Sequence, residues 1–356
     1  MIRSVCFISL VILFCCTEAA HAAPNYSKLN MALVRLQADA ILHCQTPEGI
    51  IAMDSKRSRA VPYFANFAAI GLIRAAGLTD DSKYLDAVRR YLDWHASAMS
   101  KDGTISDYAH KDGALQPTGD YDSSDSYPAT YLCASWAYYG ATNDRKWLEG
   151  KHESFARALK GIELTLQPDG LTYAKPTYKV KYLMDNLEVW QGEKAGANLA
   201  AVLGDTALAE SFSSHAKACK QALMSFWLPD KGYFSMAISE NGDKVQSFEK
   251  WYPDGMANAM VAAVLLDPKD PKSRDLVKKT MTAFPAGGDW VWWSMARKFG
   301  YSGDAARAYM KMLTGVKYSN DFGQLLRTYD WDSDKFFYCD ENVPLDAGGR
   351  SSQMGM

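Results

Sequence analysis

Two kinds of helix-period segment alternate along this chain, and that alternation limits the folds open to it. One kind is apolar nearly all round, as over Phe64–Ile73; the other carries charge along one face, as over Tyr84–Trp94. A helix apolar on every side has to be buried, and a half-charged helix can cover it. The apolar segments open near residues 62, 126, 186 and 256, a spacing of about 60 residues that marks a repeated two-helix unit. Short Gly, Asp and Pro breaks separate helices expected over 28–43, 62–76, 81–99, 124–139, 144–166, 185–203, 206–226, 254–266, 272–284, 289–299, 303–314 and 320–328. The fold class expected is all-α: an (α/α)6 toroid in which inner helices line a barrel and outer helices wrap it. The units are too long and irregular for an open solenoid of the TPR type. Strand-like pieces at 103–108, 170–178, 232–238 and 336–339 fall in the connections between helices. They are expected to form a rim around the barrel mouth.

The ends of the chain read differently from its middle. Residues 1–23 have the form of a cleavable export signal: a basic start at Arg3, an uncharged apolar run over Val5–Cys16, and small residues at Ala20 and Ala22. That run is too short for a stable membrane anchor. The expectation is a periplasmic or secreted protein with one catalytic domain over 24–345 and a polar, Gly-rich disordered tail over 346–356. Loss of the leader removes Arg3 and Glu18 together and leaves the net charge at −2. A chain so close to neutral has no basic field to gather nucleic acid. Cys44, Cys133, Cys219 and Cys339 survive processing; they allow three pairings, and each can equally be a buried thiol. The chain has no HExxH, GxSxG or P-loop. His43, His95, His110, His152 and His215 lack metal-ligand spacing. No metal or cofactor is expected, and the protein is expected to be a monomer.

Acids concentrate where apolar helices begin. Tyr121–Pro128 places Asp122 and Asp125 ahead of one such segment. Met184–Glu188 places Asp185 and Glu188 at the start of the next, and Tyr252–Gly255 places Asp254 at a third. A helix N-terminus favours negative charge, and Asp is also an ordinary helix cap. Asp185 and Glu188, three apart, share a helix face. Crowded carboxylates raise one another's pKa and so keep one of them protonated near neutrality. Glycoside hydrolysis needs such a pair, one carboxyl giving a proton and the other acting as base or nucleophile. Asp125 and Asp185 are the first candidates, with Asp122, Glu188 and Asp254 as supporting or alternate acids. Tyr127, Trp190, Gln191, Trp251, Tyr252, Trp290 and Trp293 lie near the same helix starts and are candidates to bind sugar, several by ring stacking.

The segment Asp125–Tyr131, followed by a small-residue helix, resembles the acid-bearing helix start of the bacterial cellulase-like branch of the six-hairpin glycosidase superfamily, where the acid is usually Glu. Met184-Asp185-Asn186-Leu187 is similar to the Ile-Asp-x-Met pattern of unsaturated uronyl hydrolases. The resemblance to the superfamily implies the toroidal fold, a polysaccharide or oligosaccharide substrate, and Asp185 as a general acid and base. The expectation is an exported glycoside hydrolase, inverting at the anomeric carbon. Its competitors are a polysaccharide lyase on a similar toroid and a carbohydrate-binding protein without activity.

Overall fold

The computed structural model describes residues 26–285 and 289–328. The expected leader at 1–23, the strand piece at 336–339, Cys339 and the tail at 346–356 lie outside the described residues. The first half of the chain runs α1 (Tyr26–Cys44), β1 (Arg59–Ala60), α2 (Pro62–Thr79), α3 (Lys83–Ala98), β2 (Tyr108–Lys111), β3 (Ala114–Pro117), α4 (Ser126–Thr142), α5 (Arg145–Glu149) and α6 (His152–Glu163). It continues through β4 (Val180–Tyr182), α7 (Leu183–Leu203), α8 (Thr206–Ala222), β5 (Trp227–Leu228), β6 (Tyr233–Phe234) and β7 (Ala237–Ser239). The remaining helices are α9 (Met256–Val264), α10 (Pro271–Ala283), α11 (Trp290–Lys298), α12 (Ser302–Gly315) and α13 (Ser319–Thr328).

The apolar helices pack as a series of neighbours that returns to its start. Helix α2 touches α4, α4 touches α7, α7 touches α9, α9 touches α11, α11 touches α13, and α13 touches α2. Glycines permit the last closure: a Cβ on Gly71 of α2 would sit 2.5 Å from the Cα of Gly323 in α13. Gly192 of α7 meets Ala129 of α4 as closely, at 2.5 Å from a built Cβ to the Ala129 Cα. Helices α1, α3, α6, α8, α10 and α12 each pack on one or two members of that series. Helix α3 shows why. It buries Tyr84, Ala87, Val88, Tyr91, Leu92, His95 and Ala96, a stripe at helical spacing with its charged residues opposite. Each large side chain so buried contributes about 1.5–3 kcal/mol. A polar tie fixes the angle between helices. The Asn66 amide donates to Thr130 Oγ1 at 2.9 Å and accepts from the Tyr91 hydroxyl at 2.8 Å, so α2, α3 and α4 share one buried hydrogen-bonded node.

The two ends of the bundle differ. Connections from an apolar helix to the next charged one are short: α2 ends at Thr79 and α3 starts at Lys83, while α7 ends at Leu203 and α8 starts at Thr206. The return connections into α2, α4, α7 and α9 are long and carry all the strands among the described residues. Strands β1, β2 and β3 form one antiparallel sheet, β4 pairs with β7, and β5 pairs with β6. The long loops therefore gather where the apolar helices begin, at the end that holds the acidic helix starts.

Local departures from expectation have local causes. The helix expected over 144–166 is broken into α5 and α6 at Gly150 and Lys151. The helix expected over 206–226 tightens into a 3-10 turn at Leu223–Phe226. The one expected from residue 254 begins at Met256, behind a wide turn over Trp251–Gly255 that contains a cis Tyr252–Pro253 bond. Residues 103–107 form no strand, and 170–178 makes only isolated bridges, Leu166 with Thr172 and Lys175 with Tyr178. Cys44, Cys133 and Cys219 are buried, and Cys44 and Cys219 are free thiols.

Candidate active site

Asp125 caps α4 and is fully buried. Its Oδ1 accepts from the Ser126 backbone N–H at 2.8 Å and from the Ser123 hydroxyl; Oδ2 accepts from the Thr172 hydroxyl at 2.6 Å. Burial pushes this carboxyl up to about 6, and the donors, Ser123 foremost, pull it back. Asp185 occupies the first turn of α7 and is partly exposed. Among the described residues no other residue donates a hydrogen bond to its carboxyl. Burial first, then the neighbouring charges of Asp125, Glu188 and Asp122, hold it well above the usual carboxylate range.

Glu188 lies one turn deeper, 3% exposed. Its Oε1 accepts from the Tyr63 hydroxyl at 2.7 Å, and its Oε2 has no hydrogen-bond partner. Burial raises it to about 8; the Tyr63 bond acts in the opposite sense and Asp125 adds to the rise. Arg327 lowers it from below, with its guanidinium 3.9 Å from the Trp290 ring centre and 4.9 Å from that of Phe67. Side chains from α2, α7, α11 and α13 thus meet beneath the acids. Asp122 is exposed at the edge of the group.

The structure therefore brings Asp122, Asp125, Asp185 and Glu188 together and leaves Asp254 apart. Asp254 is buried, and its Oδ2 accepts from Ser247 Oγ at 2.6 Å and from the backbone N–H groups of Glu249 and Lys250 at 3.0 and 3.2 Å. It braces its own loop. Lys181, on the strand just ahead of α7, pairs with Asp169.

The aromatic candidates divide in the same way. Tyr252 is 68% exposed, and Asp185, Asp122 and Glu188 act on its hydroxyl. It is at the mouth. Tyr127 is buried, its hydroxyl donating to Asp107 Oδ1 at 2.9 Å and accepting from the Asp122 N–H at 3.3 Å. Trp190 is buried between Lys194 and Lys220, whose ammonium groups lie 5.0 and 5.1 Å from its ring centre. Lys220 belongs to α8, so the indole faces the charged helix layer and not the acids. Trp251 donates to Asp289 and packs on Phe284. Trp293 is buried beside Arg297, and Trp290 forms the floor described above. Gln191 is buried, with its Oε1 lacking a hydrogen-bond partner.

Sequence reasoning missed Asp107, Tyr178, Tyr182 and Arg327. Asp107 is raised by burial and by the charges of Asp122 and Asp120, against the Tyr127 bond. Tyr182, bonded to Tyr178 at 2.9 Å between hydroxyls, is raised by burial and by Tyr178, Asp185 and Tyr252. The nearest sequence signal was the run of tyrosines at 173, 178 and 182 just ahead of Asp185.

No family model matches the chain, and no curated protein matches it. Solved structures do. A structure described as a wild-type glycosidase is similar at 11% identity and a TM-score of 0.62, covering 86% of this chain and 98% of its own. The GH63 mannosylglycerate hydrolase of Thermus thermophilus in complex with glucose is similar at 10% identity and a TM-score of 0.61, over 83% of this chain and 99% of its own. An uncharacterized conserved protein from the same organism gives 12% identity and 0.62, over 82% and 99%. The chain shares the mostly helical fold of these glycosidases. No described helix is long and apolar enough to cross a membrane.

Proposed function

We propose that the protein is a glycoside hydrolase acting on a polysaccharide or oligosaccharide, with Asp185 as the proton donor. One observation carries this reading: a partly exposed carboxyl at the head of an apolar helix, without a hydrogen-bond donor and crowded by Asp125, Glu188 and Asp122. Such a group keeps its proton near neutral pH and can give it to a glycosidic oxygen. Asp122, the exposed acid of the group, is the base that activates water. Asp125, whose oxygens are taken up by internal donors, acts through charge by keeping Asp185 protonated. In this reading the helices complete an (α/α)6 toroid, which the returning series of helix contacts supports. The domain spans 24–345, the leader directs it to the periplasm or outside the cell, and the protein works as a monomer by inversion. The glycosidase neighbours, one of them holding glucose, fit a carbohydrate substrate.

A lyase would need a cation or amide to neutralise a uronate. Asn186, the amide closest in sequence to Asp185, is instead used internally: its Oδ1 accepts from the Thr172 N–H at 2.8 Å and its Nδ2 donates to the Tyr182 carbonyl at 2.9 Å. The test is a glycan panel assayed for new reducing ends and for ultraviolet absorbance, with wild type and Asp185→Asn in parallel. Reducing ends without absorbance, lost in the variant, support hydrolysis. Absorbing products would replace it with elimination, and binding without cleavage would leave a binding protein. The anomer first formed, followed by NMR, tests inversion.

A further inference from the structure

We propose that Tyr178, Tyr182 and Tyr252 form a subsite for the leaving group, and that this group is itself an uncharged sugar ring. The substrate class is then a neutral oligosaccharide and not a sugar joined to a small acid. This rests on the glycosidase reading of the same site. Helix α7 sets the order of depth. Tyr182 precedes its first residue, Asp185 stands in its first turn, and Glu188, 3% exposed, lies one turn further in. A proton donor touches the oxygen that joins the two parts of the substrate. The glycone therefore lies inward, on the Glu188 side, and the part that leaves lies on the open side with Tyr182. On that side aromatic rings stand uncovered. Tyr252, 68% exposed, is the most exposed large apolar side chain among the described residues, and Tyr178 is 50% exposed.

The rings are held in place before any ligand arrives. Backbone bonds between Lys175 and Tyr178 close a tight turn, and β4 pairs with β7 in a register that sets Tyr182 opposite Ala237. The Asn186 amide donates to the Tyr182 carbonyl at 2.9 Å. The Tyr178 and Tyr182 hydroxyls meet at 2.9 Å, with ring centres 6.3 Å apart at 32°. Tyr252 and Asp185 both act on the Tyr182 hydroxyl, in keeping with a third ring on the same rim. Rings fixed in this way lose little freedom when a ligand lies on them. A pyranose offers what they take: C–H bonds against the ring faces and hydroxyls for the phenol groups. A carboxylate is poorly served. The lysines of the same connection are already paired, Lys175 with Asp120, Lys179 with Glu240 and Lys181 with Asp169. The charges that act on the Tyr252 hydroxyl are those of acids, Asp185, Asp122 and Glu188.

Fluorine NMR of the full chain labelled with fluorotyrosine tests this, with Tyr178→Phe and Tyr252→Phe used to assign the signals. The probes are glucose, glycerate and a panel of neutral disaccharides covering gluco, manno, galacto and xylo rings. At least one disaccharide is expected to shift the Tyr178 and Tyr252 signals and to bind about tenfold more tightly than glucose, with glycerate leaving both signals in place. Tyr178→Ala and Tyr252→Ala should each weaken that disaccharide by about two- to tenfold, and Tyr252→Phe, which keeps the ring, should restore most of the loss. The panel itself needs no alanine variant, so it decides even where one fails to fold. No disaccharide reaching the two signals, glycerate or glucose binding as tightly as the best disaccharide, or alanine variants that bind like wild type would each overturn the proposal. Disaccharide binding at the tyrosines without cleavage of any glycan would remove the glycosidase reading and leave the subsite standing. Cleavage confined to glycosides of small acids or alcohols would do the reverse.

Discussion

Asp125 and Asp185 open neighbouring apolar helices, yet the structure gives them opposite surroundings. Asp125 is sealed in and held by Ser123, Ser126 and Thr172. Asp185 is partly open and has no donor among the described residues, only like charges. The same residue at the same place on a helix is a cap where donors surround it and a poised acid where they do not. The local sequence is nearly silent on the difference, because one of the donors to Asp125, Thr172, lies 47 residues away.

The largest expected effect tests the open member of the pair. Asp185→Asn should cut turnover by about 10²–10⁴-fold, the usual contribution of a positioned general acid. Its Tm should hold or rise, since the amide replaces a carboxyl that the folded protein keeps from ionising but the unfolded chain does not. Near-normal turnover in a folded Asp185→Asn protein would dissolve the contrast at once. Steady-state kinetics and a melting curve are sufficient to decide.

The sealed member should respond in the other order. Asp125→Ala loses a buried cap and takes one acceptor from each of the Ser123 and Thr172 hydroxyls, at a cost of about 1–3 kcal/mol. Removing its charge also lowers the Asp185 pKa, because Asp125 is the foremost charge raising it. Asp185 must be protonated to act, so the alkaline limb of the pH–rate profile should move to lower pH. A variant that melts early but keeps the alkaline limb unmoved would make Asp125 a cap and nothing more.

Glu188 sharpens the comparison through stability. Its pKa is about 8 in the fold, against about 4.3 in an unfolded chain. With the folded value raised, stability is fully present below about pH 4.3 and is lost as pH climbs through 8, because the unfolded chain ionises first. Glu188→Gln removes that dependence. The variant should melt above wild type at pH 8 and approach it at pH 5, as thermal scans across that range would show.

Most of the helices were legible because burial imposes a pattern that needs no partner to be seen. Tyr84, Val88, Tyr91, Leu92 and His95 announce a one-sided helix by spacing alone, and the run through Phe67 and Leu72 announces a buried one. The break at Gly150 and the late start of α9 turn on single peptide units, which periodicity averages away. Strand pieces were placed by their Gly and Asp-Gly turns, but 170–178 failed to pair, because pairing depends on a distant partner. The site was half legible. Acids at helix starts could be seen, whereas Asp107 and Arg327 join them only through contacts made in three dimensions. The tryptophans misled for a related reason: Trp190 and Trp293 sit beside the right helix starts and point into packing.

The smallest expected effect belongs to the third acidic helix start. Asp254 resembles Asp125 in its surroundings, with one oxygen taking a hydroxyl and two backbone N–H groups from the loop before it. Asp254→Ala should therefore cost about 1–2 kcal/mol and leave both limbs of the pH–rate profile in place, since Asp254 is not among the charges that raise Asp185. A modest rise in KM is expected, because the loop it braces runs directly into Tyr252. A collapse of kcat with Tm intact would put Asp254 with Asp185, and the presence of internal donors would no longer separate caps from acids in this fold.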